Sequence, residues 1–72
     1  MRIIVEYAVN TGIPGDYVGK YYREIACDSS EESQIDTSDL ADGSIEVQTD
    51  SGKVKFFNEK TGAFVEQFSF KG

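Results

Sequence analysis

The side chains able to do chemistry in this 72-residue chain are thirteen carboxylates, one thiol and a set of aromatic rings; histidine is absent. Without histidine there is no Ser-His-Asp or Cys-His relay, so the common routes to an activated hydroxyl or thiol are closed. Cys27 is the single cysteine, and Arg23 lies on the same face of an expected strand. A nearby cation lowers a thiol pKa, but a lone cysteine in a small domain reads first as a buried apolar residue. Paired carboxylates hydrolyse sugars only across a walled cleft, which a chain this short cannot build. Asp28-x-Ser30-x-Glu32 opens like a calcium loop, yet Ser33 stands where glycine is needed and Asp39 where the bidentate glutamate belongs. No zinc ligand set, phosphate-cradling loop or dinucleotide fingerprint is present. These absences predict a non-enzymatic protein without cofactor or metal.

The carboxylates are nevertheless segregated. From Glu24 to Asp50 nine acids follow one another, and no Lys or Arg lies between Arg23 and Lys53. Such a run either keeps a small domain soluble or forms an electronegative patch that steers onto a basic surface. On the second reading the binding residues are Glu31, Glu32, Asp36, Asp39 and Asp42, with contact area from Tyr22 and Phe57. Phe56 and Phe57 are adjacent and face opposite ways in a strand, so with Phe56 in the core Phe57 is either covered by another element or exposed, and the binding reading takes it as exposed. The net charge of −6 repels nucleic acid and anionic membranes, so neither is an expected direct partner. Mimicry of DNA would be partial. A compact chain of this length spans about 29 Å, over which a duplex carries roughly 17 charges.

The elements that position these residues are read from alternation and turn signals. Residues 2–9 form a strand, with Ile3, Val5, Tyr7 and Val9 on one face. Asn10 to Asp16 is a loop holding Pro14 and two glycines. Tyr17 to Cys27 is a second strand, with a bulge expected at Gly19. Asp28 to Gly43 suits one or two helical turns opened by a Ser29–Glu32 capping box. Three further runs, separated by turns at 50–52 and 58–62, read as an antiparallel meander with Ile45 and Val47 alternating against Glu46 and Gln48. The fold class is therefore α+β, mostly β: one domain over 1–72, with an antiparallel sheet of about five strands and one short helix. No apolar run reaches the ~20 residues of a membrane span, and Glu6 interrupts any leader-like stretch, so a cytoplasmic protein is expected.

The stretch Gly43-Ser-Ile-Glu-Val-Gln-Thr-Asp-Ser-Gly52-Lys-Val-Lys-Phe-Phe-Asn-Glu-Lys-Thr-Gly62-Ala-Phe-Val65, following a short helix and N-terminal strands, resembles the layout of small phage-encoded anti-CRISPR-type inhibitors. That resemblance implies a protein that binds a host nucleoprotein complex, such as a CRISPR effector, in the host cytoplasm and blocks its nucleic-acid or effector site. It assigns no residue a role. The rival reading is a small structural or assembly domain that pairs through a sheet edge. The oligomeric state stays open.

Overall fold

A computed structural model describes residues 1–71. Five strands, β1 (Arg2–Asn10), β2 (Tyr17–Cys27), β3 (Ile45–Gln48), β4 (Lys53–Asn58) and β5 (Ala63–Ser69), lie in one sheet in chain order. The C-terminal meander is present, with β3–β4 and β4–β5 both antiparallel. One expectation is corrected: β2 and β3 run parallel, so the sheet is mixed. Seventeen residues separate these strands, and a crossover of a dozen or more is what a parallel neighbour requires.

The crossover begins with a short 3₁₀ helix (Ser29–Gln34) and continues as a strap beside the sheet. Asp39 O accepts the Tyr21 N–H at 2.7 Å, and the Ala41 N–H donates to Tyr21 O at 2.8 Å. Ser44 O and the Gly43 N–H then bond the Phe57 backbone. The strap is thus threaded between β2 and β4 before β3 begins, which buries Leu40 completely. The cap is shifted by one residue from its expected place. Glu31, not Glu32, reaches back to a backbone N–H, that of Asp28, at 2.8 Å.

Register divides the sheet into two unlike faces. On the covered face Ile25 stands beside Glu46 and Cys27 beside Gln48, while Lys55 pairs with Glu46 and Phe57 with Phe64. Ile25, Cys27 and Ile35 make the buried cluster, with Phe64 packed against it. On the open face Ile45 pairs with Phe56, Val47 with Val54, Tyr7 with Tyr22, Phe56 with Val65 and Val54 with Phe68. The alternation expected in β3 is present but inverted. Glu46 and Gln48 are buried, and Ile45 and Val47 are only partly covered.

Two irregularities shape the N-terminal hairpin. A register shift between Ile3 and Val5 separates them, so Ile3 stays beside Ile25 while Val5 and Tyr7 belong to the open face, against the single-face expectation. At the other end Ala8 pairs with Tyr21 but Asn10 with Tyr17, which places extra residues around Gly19. Gly19 has φ +80°, a conformation glycine adopts without a Cβ clash, so the expected bulge is there. Its tip overhangs the rest, and the molecule measures 42 × 22 × 20 Å, longer than a compact chain would be.

Candidate functional site

Four of the five acids singled out from the sequence lie on the cover, and each has its own partner. Glu31 accepts from the Asp28 N–H and pairs with the Met1 ammonium at 2.9 Å, which holds its carboxyl below the usual range. Glu32 pairs with Lys55 at 2.7 Å and accepts from Gln48 Nε2 at 2.9 Å; the lysine lowers its pKa despite desolvation. Asp36 accepts from the Ser38 N–H and Oγ–H, and these bonds lower its pKa. Asp39 receives two bonds from the Arg23 guanidinium, at 2.8 and 3.3 Å, and is lowered by it. The same guanidinium pairs with Glu6 and lies over the Tyr21 ring, 5.1 Å from its centroid. Asp42 stands apart, accepting the Glu59 N–H at the β4–β5 turn.

Beneath the cover lies a polar cluster that alternation did not reveal. Glu46 is fully buried, and its Oε2 accepts from Gln48 Nε2 at 2.9 Å and from Cys27 Sγ at 3.4 Å. Its Oε1 has no hydrogen-bond partner among the described residues. Glu32 and Glu46 therefore bracket one amide nitrogen, and only Glu32 has a cation in contact. Burial, reinforced by the Glu32 charge, raises the Glu46 pKa. Burial also pushes the Cys27 thiol up to about 12, helped by the Glu46 carboxyl. A thiol so enclosed and so firmly protonated is a poor nucleophile at neutral pH. Among the described residues no three Cys, Asp or Glu side chains gather as a metal site, and no helix is long and apolar enough to cross a membrane.

The aromatic assignment is reversed by the register. Phe57 is 4% exposed and packs against Phe64, with ring centroids 5.2 Å apart, so it belongs to the core and offers no binding surface. Phe56, expected in the core, is 39% exposed on the open face. Tyr22 does lie on that face. It stacks on Tyr7 at 5.0 Å, and burial together with its bond to Glu24 raises its hydroxyl to about 12. Tyr7, Val65 and Phe68, each about half exposed, extend the same surface and are not singled out by the sequence reading. The signal for them is present in the cations. Arg23 and Lys55 must meet the acids of the cover, and in a pleated strand that sends Glu24, Val54 and Phe56 to the opposite side.

Two surfaces result, an acidic cover on one side of the sheet and an apolar face on the other. Comparison with protein-family models, with curated proteins and with solved structures gave no match.

Proposed function

We propose that this chain is a non-enzymatic protein-binding module that lays its acidic cover against a basic surface and so occludes it. The observation that carries the reading is the charge left over after internal pairing. Asp28, Asp36, Asp42 and Asp50 have no cationic partner among the described residues, and Asp39 shares its one arginine with Glu6. Glu31 and Glu32 hold the cover in place; Asp36 and Asp39 supply its outward field, and Asp42 adds charge from beside the β4–β5 turn. Beside Asp36 and Asp39 a groove of about 500 Å³ is lined also by Met1, Ile3, Ile25 and Arg23. With the Arg23 charge met by Glu6 and Asp39, it could receive an arginine or lysine chain whose aliphatic stem lies on Ile3 and whose charge faces Asp36.

A surface rich in Lys and Arg is what a nucleic-acid-binding complex presents. The resemblance to anti-CRISPR-type inhibitors makes a host nucleoprotein effector the partner class, met in the host cytoplasm. Complementary charge of this kind governs encounter rate and orientation more than final affinity. The test is Asp36→Asn with Asp42→Asn, which removes two charges but keeps an oxygen to accept from Ser38 and Glu59. With a basic partner, the doubly substituted chain should associate several-fold more slowly at low salt and show a flatter salt dependence. Association that is indifferent to both salt and substitution would overturn the reading.

A further inference from the structure

We propose that the open apolar face is a self-association surface, where two copies stack sheet on sheet to complete a sandwich core. The proposal concerns the side of the sheet opposite the acidic cover and does not depend on what that cover binds. It begins from the inverted strand β3. Ile45 and Val47 sit at the centre of the sheet, yet they are only partly covered while Glu46 and Gln48 are buried. Around them Tyr7, Phe56, Val65 and Phe68 are 39–56% exposed. A patch of this size is as large as the largest apolar patch of a typical monomer, and such patches are often functional; an antiparallel strand usually puts its apolar residues on the covered side.

Area and charge favour a second copy. From those exposures and the size of the side chains, the named residues offer roughly 400–500 Å² per copy. Two copies would bury on the order of 1,000 Å² or slightly less, the size of a weak, reversible interface. The face is strand-built and self-complementary under a two-fold axis, which lets two twisted sheets stack about 10 Å apart. Within the patch the charged residues are Glu24, whose carboxylate already accepts from the Tyr22 hydroxyl at 2.8 Å, and Arg2, opposite Ala26 at its edge. The unpaired Asp28 and Asp36 lie on the cover, while Asp42 and Glu59 border the patch beside Tyr7 and Phe56. Two chains of charge −6 therefore meet here most readily once salt screens those carboxylates. Stacking would turn Tyr7, Phe56 and Phe68 into core beside the already buried Val54 and leave both acidic covers outward.

Sedimentation equilibrium between 5 and 500 µM tests the inference, with a species of twice the 8.0 kDa chain mass expected. Raising NaCl from 20 to 500 mM should tighten the dimer several-fold, because it screens repulsion between like-charged chains without weakening apolar burial. Docking through the acidic cover would respond in the opposite sense. Phe56→Lys and Tyr7→Lys, on different strands at exposed positions, should each weaken the dimer at least tenfold while circular dichroism stays that of the folded chain. Asp36→Asn should leave it unchanged. A monomer throughout this range overturns the proposal, and so does a dimer that survives Phe56→Lys, since that result indicates edge pairing.

Discussion

Replacing Glu46 by Gln removes the charge from the most enclosed side-chain carboxyl among the described residues and should stabilise the fold at neutral pH. Glu46 is fully buried, one oxygen has no partner, and the Glu32 carboxylate shares the same Gln48 amide. Burial therefore raises its pKa above the ordinary 4.5. A carboxyl that holds its proton more tightly when folded supports the fold below its unfolded pKa. As pH climbs from about 4.5 toward the folded value, that support is lost at about 1.4 kcal/mol per pH unit. The carboxyls of Glu31, Glu32, Asp36, Asp39 and Asp50 are shifted the other way and lose their contribution as pH falls below the ordinary range. Stability should therefore peak in mildly acidic solution and decline toward neutrality.

The amide introduced by Glu46→Gln retains an oxygen to accept from Gln48 and Cys27 and never ionises. Relief of a buried, under-bonded charge is worth roughly 1–3 kcal/mol, which for a domain of this size raises the melting temperature by about 5–15 °C. Urea denaturation from pH 4 to 8, at one fixed low protein concentration, reads both features. The wild-type midpoint should pass a maximum in mildly acidic solution and fall toward pH 8, and over that falling limb the Glu46→Gln curve should lie above it with a smaller slope. A variant that is less stable at pH 7 and parallels the wild type would refute the assignment of a strained, proton-hungry carboxyl.

Two other substitutions probe the core. Phe57→Ala should cost roughly 3–5 kcal/mol and unfold much of the population at 25 °C, because the ring is buried against Phe64. Thermal melts of Phe57→Ala and of Phe56→Ser at low concentration should differ widely, and equal losses would contradict the register of β4. Cys27, at 3% exposure and with its thiol pushed up to about 12 by burial, should react with a disulfide reagent at pH 8 at least a hundredfold more slowly folded than in urea. Equal rates would show that the thiol is accessible.

The strands, the turns and the C-terminal meander are legible because alternation and glycine-bearing loops are local signals. Gly19 announces its bulge in the same way. Which side of each strand is covered is not local, and there the alternation of β3 misleads. Hydrophobicity alone points Ile45 and Val47 inward. The decision is made instead by the crossover, which lies over the face carrying Arg23 and Lys55 and brings Asp39 and Glu32 to them. The parallel pairing of β2 and β3 is hidden for the same reason. A crossover with only Ile35, Leu40 and Ala41 as apolar residues reads as one or two helical turns with little to bury, yet Leu40 and Ser44 become fully buried once the backbone of Tyr21 and Phe57 grips it.

The inverted strand also links the two proposed surfaces. If Ile45 and Val47 had turned inward, Glu46 and Lys55 would have turned outward, and Glu32 would have lost its cation and its anchor. The cover would then have had no polar floor to hold it, and its acids no fixed direction. Burying Glu46 is costly, and Lys55 and Gln48 offset part of that cost by fixing the cover. What remains is the apolar face displaced to the other side, where roughly 400–500 Å² per copy at about 25 cal/mol/Å² is a large sum for so small a domain. Stacking would recover it. On this argument Glu46→Gln and Phe56→Lys act on opposite faces and should be additive in free energy. Measured together by denaturation below and above the dimer's dissociation constant, a coupling beyond about 0.5 kcal/mol would mean that the two faces are not independent.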